Sequence, residues 1–409
     1  MPLARRLTLG DAVAIGLGSM IGAGVFAVWA PAVGAAGSGI LIALAIAAVV
    51  AYGNATASAQ LAAAHPVAGG TYAYARAEIG PWWGFVAGWS FVIGKIASCA
   101  AMAMTFAAYA APAGWQVPVA VAAVAALAVV NCFGVTRTAL LTRILVVCSL
   151  LGIAIVVGFG FAGAPTADPM PLPDATVYGV LQGAGLLFFA FAGYARIATM
   201  GEEVVDPAKT IPRAIVLALA GAVVVYTLVC AAVILVLGGN SIGSTAPLID
   251  VLDAVDASAW GPVIRVAAAA ASLGALLALL TGIGRTTLAM ARERDVPRFL
   301  AKIDERHHVP QRAEIAIAVI VIAIVLSADL RGAIGFSSFG VLLYYFIANA
   351  AAFRQTGAAR RYPRALQVLG AIGCLVLVAT LPVLASTIGA AVVLVGVGYR
   401  MLRLRLARV

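Results

Sequence analysis

The chain is 409 residues long, 64% hydrophobic and 10% charged, with a formal net charge of +10. Soluble domains are about 45–50% apolar and about 25% charged, so a soluble globular protein is excluded. Apolar stretches of about 20 residues recur along the whole length, the reach needed to cross a bilayer.

In chain order, the apolar stretches give twelve spans. Helix 1 covers about 10–33, ending near Pro31, and helix 2 about 39–63. Helix 3 is about 82–110, helix 4 about 117–134 and helix 5 about 139–162. Helix 6 follows at about 176–201, helix 7 at about 212–238 and helix 8 at about 260–290. Helices 9 and 10 take about 311–327 and 332–353, and helices 11 and 12 about 365–383 and 386–403. The expected fold is therefore all-α and polytopic, one transmembrane domain over residues 1–409 with helices 1–5 in 10–162, helices 6–10 in 176–353 and a closing pair in 365–403.

Two stretches interrupt this pattern. Gly16-Leu17-Gly18-Ser19-Met20-Ile21-Gly22-Ala23-Gly24-Val25-Phe26 sets four glycines within nine residues in the middle of helix 1. Glycine is a poor helix former, and an unwound backbone in hydrocarbon leaves polar groups unpaired at several kcal/mol each unless they face protein, water or a ligand. A break at Gly22-Ala23-Gly24 thus implies an occupied cavity; close packing through small residues is the competing reading. The second stretch, Phe189 to Arg196, interrupts helix 6 near Gly193. Paired interruptions in corresponding halves point to a transporter built from inverted repeats.

Together these stretches resemble the amino acid–polyamine–organocation superfamily of permeases. Gly18 to Phe26 is similar to the family's helix 1 motif. Phe191-Ala-Gly-Tyr194 with Glu202-Glu203-Val-Val-Asp-Pro-Ala-Lys-Thr-Ile-Pro-Arg213 resembles its helix 6 motif and exit loop. Pro66 to Tyr74 and Ala289 to Pro297 resemble its loops after helices 2 and 8. The resemblance implies a LeuT-like fold: a 5+5 inverted repeat with helices 1 and 6 broken, and helices 11 and 12 appended. It also implies secondary transport of an amino acid by alternating access, with proton coupling as one mode. Exchange, or transport of a polyamine or other organic amine, stays open beside it, and a non-transporting membrane sensor is a more distant reading.

The chemistry of the breaks agrees with a zwitterion. The outer half of helix 1 would begin with unpaired N–H groups that attract a carboxylate. Carbonyls ending the inner half, near Ser19 and Met20, would suit an ammonium. Candidate substrate-binding residues are Ser19, Met20, Gly22, Ala23 and Gly24 in helix 1, with Phe189, Phe191, Ala192, Gly193 and Tyr194 in helix 6. Phe189 and Tyr194 are candidate aromatic gates. Departures from the family pattern are Ala23 in place of a hydroxyl residue, Gln60 in place of a glutamate, Ala195 in place of an acidic residue, and Ser149 where some members carry a helix 5 lysine.

Charge placement sets the orientation. With the N-terminus inside, the inner loops collect Arg76, Arg137, Arg143, Lys209, Arg213, Arg292, Arg294, Arg298, Arg354, Arg360, Arg361 and Arg364. The outer loops hold Asp168, Asp174, Asp250, Asp253, Asp256 and Asp329, with Arg331 opposing. Both termini are then expected in the cytoplasm of a cell-membrane protein. The basic residues read as topology signals facing the lipid bilayer, not as a nucleic-acid surface. Cys99, Cys132, Cys148, Cys230 and Cys374 lie in apolar segments without ligand spacing. No metal site, cofactor or catalytic constellation is expected, so the chain does not read as an enzyme. Arg5 and Arg6 are followed by Asp11 and a glycine-broken segment, unlike a cleaved signal peptide.

Two cations sit at membrane depth. Lys95 lies roughly 20 Å along helix 3 at 1.5 Å per residue, and Arg196 follows the helix 6 break. No acidic partner for either is evident at mid-membrane, so each is a coupling or substrate-side-chain candidate. The preferred reading is that Lys95 carries a proton for part of the cycle, its basicity lowered by burial and by Arg196. Alternatively both cations stay charged and select an acidic or polar substrate, or Lys95 bonds the carbonyls of a broken helix as a structural ammonium.

Overall fold

The computed structural model describes residues 7–65, 69–134, 139–198, 200, 203–307 and 309–406. Nine helical stretches among them are long and apolar enough to cross a membrane, with Gln116–Cys132 and Arg364–Thr380 as shorter apolar helices. The expected all-α, multi-span class is what the chain adopts. Two isolated backbone bridges are the only extended pairing among the described residues.

Twelve helical elements are labelled here α1 to α12. The first has an inner half, Leu9–Ile21, and an outer half made of Ala23–Ala27 and Trp29–Ala36. Val28 joins the two outer pieces, donating its N–H to Gly24 and accepting from Ala32. α2 is Ile40–Ala64, α3 Pro81–Ala110, α4 Gln116–Cys132 and α5 Ala139–Ala162. α6 is Val177–Phe191, continued beyond a 3-10 turn at Ala192–Tyr194 by Ala195–Ala198. α7 is Pro207–Leu237, α8 Gly261–Arg292, α9 Gln311–Ser327 and α10 Leu330–Arg354. α11 and α12 are Arg364–Thr380 and Val383–Leu406.

Three boundaries depart from the sequence expectation, each for a local reason. The α1 break is one residue wide: Gly22 takes φ −45° and ψ −145°, and helix resumes at Ala23. Pro31 does not end α1, because it falls in the first turn of Trp29–Ala36, where a missing N–H is tolerated. α7 starts five residues before Pro212, inside which proline should cost a bond to the Ala208 carbonyl. Arg361 supplies the missing donor, its guanidinium reaching the Ala208 oxygen at 2.5 Å.

Helix pairings repeat under exchange of each helix for the one five places on. α1 packs on α7 as α6 packs on α2, and α5 on α8 as α10 on α3. Likewise α1 meets α5 as α6 meets α10, and α5 meets α7 as α10 meets α2. This is the packing an inverted repeat requires, although the halves share no evident sequence identity. α11 lies against α2, α6 and α10, and α12 against α3 and α10, outside the repeated unit. α3 and α10 cross through glycine: a Cβ on Gly94 would lie 3.1 Å from the Gly340 Cα. Small residues let the two backbones meet, as in other membrane helix pairs.

One end of the bundle carries a buried ionic knot. Asp295, in the segment after α8, is 2% exposed. It accepts from Tyr72 at 2.9 Å, from Arg76 at 3.0 Å and, at its other oxygen, from Arg400 of α12. Arg400 also stacks over Phe85, 4.8 Å from the ring centre. The segment after α2, the start of α3, the segment after α8 and α12 are thereby tied to one carboxylate. Removing one partner of a buried pair strands the others, at about 3–5 kcal/mol. Asp295→Ala should therefore lower the detergent-solubilised unfolding midpoint sharply, while Glu293→Ala, whose partner Arg76 remains satisfied, should change it little; thermal unfolding of both variants checks this.

Candidate functional site

The two interruptions meet. Gly193 sits directly on the α1 backbone, where an added Cβ would strike the Ser19 carbonyl group and come 2.6 Å from the Met20 nitrogen. Further out, Gly24 packs on α6, with a Cβ there only 2.8 Å from the Ala190 Cα. Gly22 faces α8 instead, 2.9 Å from the Ala275 methyl. The glycines thus serve both readings of the sequence: one opens the helix, and its neighbours allow close packing of the opened segment.

Opening a helix orphans carbonyls that need donors in an apolar interior. Four side chains from outside α1 and α6 supply them. The Tyr226 hydroxyl of α7 lies 2.6 Å from the Met20 carbonyl and 2.9 Å from that of Ala190, its single proton serving either. At the α6 break, the Ala192 carbonyl accepts from the Tyr345 hydroxyl of α10 at 3.3 Å and from the Lys95 ammonium of α3 at 3.4 Å. On the outer side, the Tyr109 hydroxyl donates to Phe26 at 3.1 Å. The aromatic rings pack around these bonds: Phe191 edge-on to Tyr226 at 4.9 Å, and Tyr194 stacked on Tyr345 at 5.0 Å.

Most residues singled out in the sequence come together here. Met20, Phe191, Ala192, Gly193 and Tyr194 line the junction, with Phe189 buried one turn before the α6 break. Ser19 contributes backbone, since its hydroxyl donates to Ile15 within its own helix. The side chain of Ala23 lies outside the described set, as does Glu202. Lys95 is buried and touches the break. Arg196 stands apart, within electrostatic reach of Glu203 and Arg285, whereas the titratable neighbour of Lys95 is Cys99. The two cations do not share an environment, because Arg196 follows the break on the inner half-helix and points to that end of the bundle.

Gln60, at a position where the family resemblance expects an acid, is structural. It donates to the Ala352 carbonyl and accepts from the N–H groups of Arg361 and Tyr362. Ser149 lines a cavity of about 10 Å³ between α1, α5 and α8, with Gly18, Ile21 and Ala271. Its hydroxyl is turned to the Leu145 carbonyl.

Sequence comparison supplies the family. The family model for "Amino acid permease" matches residues 11–402. The chain belongs to the amino acid permease family. An uncharacterized transporter of Mycobacterium tuberculosis is 54% identical, over 99% of this chain and 93% of its own. Cationic amino acid transporter 7, chloroplastic, of Arabidopsis thaliana is 29% identical over 86% of this chain and 65% of that protein. Branched-chain amino acid permease BcaP of Bacillus subtilis is 25% identical, over 75% of this chain and 71% of that one. The family is one of permeases, not enzymes, and this member is a multi-pass membrane transporter.

Tyr226 and Tyr345 escaped the sequence reading. Tyr226 is a lone tyrosine in an apolar span and Tyr345 one of the adjacent pair Tyr344-Tyr345, and only the tertiary contacts show that their hydroxyls meet an opened helix. Tyr226→Phe should cost about 0.5–1.5 kcal/mol of stability, as for loss of one buried hydrogen bond, and should also slow uptake. Gly24→Leu should abolish uptake while the protein still inserts. Uptake assays on reconstituted variants, with membrane insertion verified, check both.

Proposed function

We propose that this permease is a secondary transporter that moves a zwitterionic α-amino acid across the cytoplasmic membrane by alternating access. Residues 1–409 act as one transport unit with both termini in the cytoplasm, where the positive-inside bias puts the basic loops. The observation that carries the reading is the contact of the two opened helices at Gly193 and Ser19. The outer half of α1, starting at Ala23, offers N–H groups and a positive helix end to the substrate carboxylate. The carbonyls of Met20, Ala190 and Ala192 offer the opposite pole to the ammonium. Tyr226 and Tyr345 hold those carbonyls when substrate is absent and yield them when it binds, so no polar group is left dry at any stage.

Lys95 is read as a fixed ammonium that ties α3 to the α6 break, the structural one of its three sequence readings rather than the preferred one. Its bond to Ala192 supports that role. A charge-assisted bond of this kind links a helix of the first half to the broken helix of the second.

Sodium is not required in this scheme. The cavity between α1, α5 and α8 is lined by Gly18, Ile21, Leu145, Val146, Ser149 and Ala271, with one side-chain oxygen among them. Ser149, the hydroxyl lining it, is already engaged by its own helix.

Uptake of labelled amino acids into proteoliposomes tests the proposal. At least one should accumulate saturably with choline in place of sodium; no uptake of any amino acid would defeat the transport reading, and uptake abolished by choline would defeat the sodium reading. Lys95→Met should lose exchange as well as net uptake at every pH. A Lys95→Met protein that still exchanges substrate and loses only its pH dependence would instead mark Lys95 as the proton carrier.

A further inference from the structure

Away from the breaks, α4, α8 and α9 enclose one acidic side chain. Glu314, in the first turn of α9, is 3% exposed. One of its oxygens accepts from the Asn131 amide of α4 at 2.6 Å. The Asn131 oxygen in turn accepts from the Thr281 hydroxyl of α8 at 2.9 Å. The other Glu314 oxygen lies against Gly284, in space that any Cβ at that position would fill. The sequence reading passed over this residue because, with Arg312 beside it, a glutamate at position 314 looks like a solvated helix end.

The neighbourhood is almost neutral. Among the described residues, no cation lies within ion-pairing distance of Glu314. The titratable groups facing it are Cys99 of α3, Cys132 of α4 and Arg285 of α8. Arg285 is exposed and adjoins Gly284 in the chain. A carboxylate buried against an amide and a glycine costs several kcal/mol, whereas the uncharged acid costs little. The site therefore holds a proton at small cost and releases it when water or Arg285 closes on the oxygens.

Arg285 has a second set of neighbours. It is within electrostatic reach of Arg196, on the inner half of α6, which also feels Glu203.

We propose that Glu314 is a proton-binding carboxyl of the transport cycle, loaded from water on one side of the membrane and discharged to water on the other as the bundle changes its facing. The step makes one O–H bond at the carboxylate and breaks one in hydronium or a buffer acid; the release step returns the proton to water on the opposite side. This rests on the amino acid transport reading.

Two measurements test it. In proteoliposomes with an imposed pH gradient and choline salts, the native protein should concentrate its substrate. Glu314→Gln, which keeps the shape and removes the titration, should retain exchange yet lose gradient-driven accumulation and the pH dependence of uptake. Native-like accumulation by Glu314→Gln overturns the proposal, as does a native protein that exchanges substrate but ignores the pH gradient. Absence of any transport by the native protein instead defeats the transport reading. The second measurement needs no variant and no transport: dicyclohexylcarbodiimide, which modifies protonated carboxyls in apolar surroundings, followed by peptide mass spectrometry of the native protein. Modification at Glu314 that rises as pH falls supports the proton site, even if Glu314→Gln fails to fold, and no modification from acid to mildly alkaline pH overturns it.

Discussion

Backbone polar groups cannot be left dry in hydrocarbon, and this constraint explains why the molecule is arranged as it is. α1 and α6 open at Gly22 and at Ala192–Tyr194, and each opening exposes carbonyls that a continuous helix would have used. Donors then come from α3, α7 and α10 in the form of Lys95, Tyr226 and Tyr345. The glycines of α1 give the openings room to touch, and the rings of Phe191 and Tyr194 seal the bonds from lipid. An opening whose donors are held by rotatable hydroxyls and a long ammonium is suited to exchanging those donors for a ligand's.

The same demand recurs wherever the chain breaks a helical rule. Pro212 withholds a donor from Ala208 inside α7, and Arg361 replaces it from the segment before α11. Arg265 of α8 donates to the Tyr109 carbonyl in the last turn of α3, at 2.7 Å. Asp295 collects three donors at one end of the bundle. Cations that read as topology signals in the sequence thus double as caps, and the charge bias and the fold are served by the same side chains.

Much of this was legible in the amino-acid order. Twelve spans, the break in α1 at Gly22 and that in α6 around Gly193 follow from apolar length and glycine placement, because both are local properties of the chain. What stayed hidden depends on helices far apart in sequence. Tyr226 is an ordinary aromatic until α7 is laid across both breaks, and Glu314 a surface acid until α4 and α8 enclose it. Lys95 stood out by depth, and a broken-helix carbonyl was among the partners the sequence offered, but only the approach of α3 to the α6 break identifies it as that of Ala192. Arg196 was grouped with Lys95 by depth, and the fold separates them because the α6 break turns the inner half away.

The account's central claim is that the opened helices hold both charged ends of an α-amino acid. Thermal-shift binding to the purified protein tests it most directly, comparing the amino acid that stabilises the protein best with its methyl ester and its N-acetyl derivative. The account predicts that the free amino acid raises the unfolding midpoint and that blocking either end removes the shift. Equal stabilisation by the ester or by the acetylated form would contradict it, since one pole of the site would then have no role.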